Sequence, residues 1–549
     1  MKVKKYKELI LLIFLSLILN FSTINKYPVL DRDEARYAQS TKQMLETGNY
    51  NTIKFQEDLR SKKPVGIYWF QAITVKILSL DIFDKNYNKI WKYRFISCVF
   101  SLFSCLGLYC LALTVFGKQQ AFFASIVLNC SLLFIIESHI AKTDAALLTF
   151  SAISMILLCG YYKDIFTKRY DYNFFLLWIS IGFSILVKGP VLVSMLAFTV
   201  IFIICFKRRV KWLLNTNPIM GLIIIIIIIM PWFMSISGVE QSSFLSQGLK
   251  RDFFDKLFGV QESHGAFFGA HTISILILFF PMSLFLVPSI LKTCKELSLD
   301  ENFFLVAWIV PNLLILELIP TKLPHYSLPL YPALALLCGN YISSMNKNLK
   351  DRGSFNTKII FSNLIYIFSF SIILIFIFYS LKNFSSNNLY SNLIVSFLSS
   401  LYIIGTLLNL RFSIIKSFYY QIFLACISSL FIFGFLLPKL DKVWISNSIY
   451  EIIKNDNTNF HKDEIATIGF NEPSLIFMMG TKTKVLFSLH EDFFEKKLYK
   501  YIIVEELFLN KFYNIMKNTK SDYIILKEIR GFNMAKNKWN NIIVFKLNK

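Results

Sequence analysis

Seven consecutive isoleucines, Ile223 to Ile229, lie inside a longer apolar stretch at 218–237. A helix needs about 20 mostly apolar residues to cross a bilayer, and a single soluble core cannot absorb several such stretches. Comparable windows recur at 8–25, 93–116, 121–138, 144–161, 173–188, 190–206, 271–291, 302–319, 326–344, 358–381, 392–410 and 417–438. The chain is 55% hydrophobic and 17% charged, against about 25% charged in soluble domains. Disorder is excluded, and a polytopic membrane protein with about thirteen spans is predicted. The division at Lys188-Gly189-Pro190 rests on a Gly-Pro break inside one long apolar region.

The formal net charge of +23 suggests a polyanionic partner, but the basic residues sit mostly in short loops between apolar segments. Membrane topology produces that distribution, so no nucleic-acid partner is expected. Counting alternate loops from Lys2, Lys4, Lys5 and Lys7 meets Lys118; Lys163, Lys168 and Arg169; Lys207 to Lys211; Lys292 and Lys295; Lys347 to Lys358; and Arg411 with Lys416. The positive-inside rule then predicts a cytoplasmic N-terminus and a C-terminal region outside. The first apolar segment is expected to be an uncleaved helix, because no small-x-small site follows it. Nine cysteines fall in or beside apolar segments without a CxxC, so neither a disulfide framework nor a zinc site is expected.

The predicted fold class is an all-α polytopic bundle over 1–439 with a small C-terminal α/β domain at 440–549. Two long outer loops, 26–92 and 238–270, interrupt the bundle. In the tail, apolar runs at 465–470, 484–488, 501–504, 523–526 and 542–545 alternate with helix-like stretches at 491–499 and 505–517.

The chemistry-bearing residues concentrate in the outer loops. Directly after the first span comes Leu30-Asp31-Arg32-Asp33-Glu34-Ala35-Arg36-Tyr37-Ala38. Asp31 or Asp33 could cap an interfacial helix; equally, a carboxylate just outside the apolar core can act as a general base or stabilise a developing cation. Arg60-Ser61-Lys62-Lys63-Pro64 precedes the aromatic pair Tyr68-Trp69, a pattern that suits lipid-headgroup anchoring or a grip on a substrate phosphate. Asp144, at the outer lip of a span, is costly facing lipid and is expected to face a cavity or a partner such as Lys142. The second outer loop carries Arg251, Glu262 and His264; the last two are possible substrate or metal contacts, but two ligands do not make a metal site. Between the ninth and tenth windows, Lys322, His325 and Tyr326 stand among four prolines that force a non-helical connection. In the predicted topology all of these clusters share the outer face.

Taken in order, Asp31-Arg32-Asp33-Glu34-Ala35-Arg36-Tyr37-Ala38, Lys63-Pro64 with Tyr68-Trp69, Asp144 with Leu147 to Phe150, Leu186 to Pro190, Pro231-Trp232 and Lys322-Leu323-Pro324-His325-Tyr326 resemble a known family. They look like the bacterial lipid-linked-sugar glycosyltransferases that include the aminoarabinose transferase of lipid A, relatives of the protein O-mannosyltransferases. The likeness is strong over about 8–345 and is one of general architecture beyond. It implies the membrane glycosyltransferase fold called GT-C and a sugar donor built on polyprenyl phosphate. It also implies Asp33 as catalytic acid, Asp144 as a second carboxylate, Lys63 on the donor phosphate and Tyr326 in the lipid-phosphate pocket. Two features depart from the family. Lys62 stands where an acid often precedes the Lys-Pro, and Gln261 to Ala266 looks more like homologues of unassigned sugar specificity, so the sugar is not carried over.

The chemistry expected is transfer of a sugar to an envelope acceptor on the periplasmic face of the inner membrane, with lipid A or core oligosaccharide first among the acceptors. Asp33, Asp144 and Glu34 are the catalytic candidates; Lys62, Lys63, Arg251, Lys322 and Tyr326 would hold the donor phosphate, with His325 as a further neutral donor. No cofactor is certain, and a divalent metal lacks the ligands. The alternative from another class, a transporter or lipid flippase, would carry midplane charges and inverted repeats, which the sequence does not display.

Overall fold

The computed structural model describes residues 2–79, 87–168, 170–246, 248, 265–347, 357–386, 391–411, 414–457, 462–495 and 498–548. Every apolar window lies on helix. Among the described residues six helices are long and apolar enough to cross a membrane, by length and composition. Two bent pairs raise that number to eight if each is one span: Lys118–Asn129 with Leu132–Ser138 at 64°, and Ala270–Leu278 with Met282–Lys295 at 109°. The second bend falls at Pro281, which has no N–H to continue the ladder. The isoleucine run belongs to Pro218–Ser235, whose apolar window is only 11% buried, with Ile223, Ile226 and Ile227 turned outward. Its isoleucines therefore cover the surface that meets lipid, whereas Asp144–Tyr162, 89% buried by the same measure, is the centre of the bundle. The chain is a multi-pass membrane protein.

Seven helices position the outer face: α1 (Asp33–Thr47), α2 (Gly66–Leu78), α3 (Ile90–Val115), α4 (Asp144–Tyr162), α5 (Tyr172–Lys188), α6 (Val191–Lys207) and α7 (Asp300–Leu318). The predicted break between α5 and α6 is present. Gly189 has φ +72, a conformation that disfavours side chains, and Pro190 starts the next helix. Lys188 is thereby left at the very end of α5. Gly66 lets α2 approach α5 closely, since a Cβ there would lie 2.7 Å from the Leu186 carbonyl oxygen. That contact brings the Lys62-Lys63 segment beside Lys188.

The C-terminal segment forms a five-stranded mixed sheet. Strands β1 (Ile465–Ile468), β2 (Lys484–Leu486), β3 (Tyr501–Glu505), β4 (Tyr523–Asn533) and β5 (Lys538–Leu547) lie in the order β2-β1-β3-β5-β4. β1 runs parallel to β2 and β3; β5 is antiparallel to both β3 and β4. All five apolar runs of the tail became strands, and helix Leu509–Asn518 falls in the second helix-like stretch. Helices Ile445–Asp456 and Pro473–Met479 were not foreseen.

Helix Pro473–Met479 of this segment and the turn after it dock on α1 and the loops beside it. Lys42 donates to the Phe477 carbonyl at 2.8 Å, Gln56 to the carbonyls of Thr481 and Thr483 at 3.0 and 2.7 Å, and Asp31 accepts from the Ser474 N–H at 3.3 Å. Burial pushes the Asp31 carboxyl up to about 6, with the Ser474 hydrogen bond opposing and Glu472 reinforcing. The folded chain therefore holds this proton below about pH 6, while an unfolded chain releases it until about pH 4. Stability from this group grows as pH falls through that window and is absent above it. Asp31→Asn removes the buried charge, so its melting temperature should exceed that of wild type by a few degrees at pH 7.5. The gap should close towards pH 5 in thermal unfolding of the detergent-purified protein; a pH-independent gap would count against a buried charge at Asp31.

Candidate active site

The sequence around residue 31 offers three acids in four positions, and the fold sends them three ways. α1 starts at Asp33 behind Arg32, whose φ of 65 is unusual for a side-chain-bearing residue; no side chain caps this helix, so neither Asp31 nor Asp33 has the capping role. Asp31 faces helix Pro473–Met479 of the C-terminal segment, as described. Glu34 turns inward, 1% exposed, and its two oxygens take both arms of the Arg94 guanidinium at 2.8 Å each. Glu34 also accepts the N–H groups of Leu30 (2.8 Å) and Ala141 (3.0 Å). Fully engaged by four donors, Glu34 does not face the chamber and belongs to the scaffold; the expected catalytic placement is not what the geometry gives it. Asp33 alone of the three is solvent-exposed and lines a cavity.

That cavity has a volume of about 370 Å³ and is lined by charge: Asp33, Arg32, Arg36, Arg60, Lys62, Lys63, Lys142, Asp144 and Lys188, with Tyr37, His325 and Tyr326. Asp144 opens α4 and is 3% exposed. It is hydrogen-bonded directly to Lys188 and lies 3.6 Å from Lys142, which in turn pairs with Glu137 at 3.0 Å. Arg60 stacks over Tyr37 at 5.2 Å and donates to the Tyr68 hydroxyl at 3.2 Å, fixing the cationic wall opposite. Burial, together with the ammonium groups of Lys142, Lys188 and Lys63, holds the His325 imidazole well below its usual range. It is neutral at physiological pH, able to donate one hydrogen bond.

A second cavity of about 270 Å³ adjoins the first. Its lining is largely apolar and comes from α4, α6, α7 and Phe244: Leu147, Pro190, Val191, Met195, Phe198, Ile315, Leu316 and Ile319 among others. Lys62, Lys63, Lys188, His325 and Tyr326 line both cavities, so they form the neck between a charged chamber and an oily groove. The Lys188 ammonium sits 5.6 Å over the Tyr326 ring at this neck.

Of the residues singled out in the sequence, Asp33, Asp144, Lys62, Lys63 and Tyr326 converge on this site. Lys322 does not: its ammonium donates to the carbonyls of Glu317 (2.9 Å) and Ile319 (2.7 Å), closing the C-terminal end of α7. Glu317, in turn, accepts from the N–H groups of Gly269 and Thr272 and caps the helix that begins at Ala270. Arg251, Glu262 and His264 lie outside the described residues. Among the described residues no group of three metal-ligating side chains occurs. Lys142 is the partner expected for Asp144 and Arg60 belongs to the expected basic cluster, although neither was picked out as a site residue; Lys188 was given no role. Lys188 carried one usable signal, a charge ending a long apolar run next to Gly-Pro; Arg60 carried none beyond its basic neighbours.

The family described as dolichyl-phosphate-mannose-protein mannosyltransferase matches residues 62–234. An uncharacterized protein of Aquifex aeolicus is 26% identical over 341 residues, 62% of this chain and 65% of that protein. The undecaprenyl phosphate-alpha-4-amino-4-deoxy-L-arabinose arabinosyl transferase of Photorhabdus laumondii is 28% identical over 327 residues, 58% of this chain and 56% of that enzyme. The likeness thus spans less than two thirds of the length of these relatives. In three dimensions the match extends further. The crystal structure of ArnT from Cupriavidus metallidurans bound to undecaprenyl phosphate superposes with a TM-score of 0.73 at 14% identity, over 98% of this chain and 97% of that one. The chain therefore has the GT-C membrane-glycosyltransferase fold, and its sequence resembles the lipid-linked-sugar glycosyltransferases of the aminoarabinose-transferase family, relatives of the protein O-mannosyltransferases.

Proposed function

We propose that the protein is an integral-membrane glycosyltransferase that moves a sugar from a polyprenyl-phosphate donor to an envelope acceptor, lipid A or core oligosaccharide, at the periplasmic face of the inner membrane. One observation carries this reading: a charged chamber and an apolar groove meet at a neck of three lysines with His325 and Tyr326. A sugar phosphate on a long isoprenoid has the same three parts in the same order. The relatives named for undecaprenyl-phosphate chemistry support it, as does the likeness to ArnT with that lipid bound. The carrier alternative has less support, because Asp144 and Lys188 sit at helix ends next to the C-terminal sheet rather than at mid-span. The basic inner loops favour a cytoplasmic N-terminus and a periplasmic sheet.

In the reaction the bond between the anomeric carbon and the phosphate oxygen breaks, and its electron pair stays on the phosphate. Lys62, Lys63 and Lys188 stabilise that growing negative charge, with Tyr326 and neutral His325 donating hydrogen bonds. The acceptor oxygen attacks the anomeric carbon from the chamber side. Asp33 takes the proton when the acceptor is a hydroxyl; a phosphate acceptor arrives ionised, and Asp33 then orients it and stabilises the cationic sugar. Asp144, held between two lysines, fixes the position of Lys188.

Undecaprenyl phosphate is the probe. Lys63→Ala should raise its Kd about 10–100-fold, the worth of one charge-assisted contact, with little change in melting temperature. An unaltered titration would remove Lys63 from the phosphate site. Failure of wild type to bind the lipid at all would overturn the proposal.

A further inference from the structure

The chamber has one wall that the transmembrane bundle does not supply. Met534 and Ala535, at the tip of the β4–β5 hairpin, line it on the side of Arg32 and Asp33. Arg32 donates through Nη2 to the Ala535 carbonyl, across 503 residues of sequence. This is the residue immediately before Asp33, and it holds a backbone conformation with φ of 65 that few side-chain-bearing residues adopt. A strained residue keeps such a geometry only where its surroundings over-determine it, and the hairpin tip is part of those surroundings.

The tip is itself built to hold one shape. Asn533 is 2% exposed; its amide donates to the Glu472 carboxylate at 2.8 Å, and its Oδ1 accepts from the Lys536 N–H at 3.1 Å. The Lys536 ammonium lies 3.7 Å from the same Glu472 oxygen, and Asn537 turns the chain with φ of 51. Gly531 sits so close to Ile445 that a Cβ would come within 2.4 Å of its side chain, which pins the root of the hairpin. Outside the chamber, Phe384 at the end of helix Thr357–Phe384 packs on Phe532 at 4.8 Å, so the hairpin is fastened to the bundle as well. Met534, by contrast, is 48% exposed, although it lines a cavity otherwise walled largely by charged side chains. An ordered loop that presents an exposed apolar side chain to a reaction chamber is placed to touch what enters there.

We infer that the β4–β5 tip completes the active site from the C-terminal sheet: Met534 and Ala535 form the acceptor-side wall, and the Asn533–Glu472 latch positions Asp33 through Arg32. This rests on the proposed glycosyl-transfer reading. The tip lines the charged chamber but not the apolar groove that would take the donor's lipid, so the tip governs the acceptor and leaves donor binding untouched. Asn533 and Glu472 are positioning residues; Met534 selects what lies against it.

The test uses the full chain. Undecaprenyl phosphate is titrated into the purified protein, and sugar added to envelope lipids is measured by mass spectrometry in cells lacking the gene and supplied with each variant. Asn533→Ala and Glu472→Ala should lower transfer about 100-fold, the loss expected for a reacting group displaced by about 1 Å, with lipid affinity within about twofold of wild type. Glu472→Gln keeps the acceptor oxygen and should recover most of the transfer. Met534→Trp, which leaves the latch intact, should depress transfer by about tenfold or more through the wall alone. A latch of purely structural importance would reduce lipid binding and transfer together and would overturn the positioning role. Wild-type transfer in both Met534→Trp and Asn533→Ala would overturn the inference while leaving the glycosyltransferase reading in place. Absence of lipid binding by wild type would instead remove that reading.

Discussion

Asp33→Asn should reduce sugar transfer by about 10²–10⁴-fold, the range general-base groups contribute, while undecaprenyl phosphate still binds. Of the acids near the chamber, Glu34 is held by four donors and Asp144 by two lysines. Asp33 is the exposed carboxylate on the chamber wall, at the first turn of α1, in the cavity that the neck lysines also line. Asparagine keeps the shape and one carbonyl oxygen but can neither take a proton nor oppose positive charge at the anomeric carbon. The measurement is mass spectrometry of envelope lipids beside a lipid titration of the purified variant. Transfer at the wild-type rate would exclude Asp33 from the reaction. Asp144→Asn would also lose activity, but for another reason: two buried ammonium groups would lose their shared counter-charge, so lipid affinity and melting temperature should fall together.

The same three acids mark how far sequence reasoning reached. That an acidic cluster directly after a span has a functional part was legible, since carboxylates at a membrane lip need a reason to be there. Which acid does what was not. Successive helical residues are turned by about 100°, so Asp33 and Glu34 face different surroundings however similar they look in the sequence. The partner that claims Glu34 is Arg94, 60 residues away on α3. Lys322 misled for the opposite reason: a basic residue among prolines resembles a phosphate ligand, yet its ammonium answers the carbonyls left open at the end of its own preceding helix.

The bundle was the most legible part, because bilayer thickness fixes the length of each apolar window independently of tertiary contacts. Its bends were less so. The window at 121–138 breaks near Ser131 by 64°, with no proline to announce it. The strands of the tail were legible as short apolar runs, but the long hairpin between 523 and 547 extends well beyond them, into polar residues such as Lys527, Glu528 and Asn540 that carry no strand signal. The contact of its tip with Arg32 is invisible to any local pattern. Nothing in 533–537 announces a wall of a reaction chamber.

Glu34→Ala should cost the folded state about 3–5 kcal/mol, because it strands a buried guanidinium. Arg94 is 0% exposed and lies 3.8 Å over the Tyr27 ring. Beyond Glu34 it donates to the carbonyls of Ile24 (3.0 Å), Tyr27 (2.9 Å) and Pro28 (2.7 Å), so one side chain ties the exit of the first helix to α1 and α3. Glu34 carries the tie onward through the Ala141 N–H to the turn that presents Lys142 and Asp144. Arg94→Ala should be as damaging, leaving a buried carboxylate and three carbonyls without their donor. Glu34→Gln separates structure from catalysis: it preserves one acceptor oxygen and the side-chain volume, so part of the fold should survive. Whatever folds should still transfer sugar, because Glu34 is not among the residues that line the chamber. Folded yield and melting temperature after detergent extraction, set beside transfer per folded molecule, decide the matter. A Glu34→Gln protein that is stable but inactive would return Glu34 to the reaction and require the chamber to open towards Arg94.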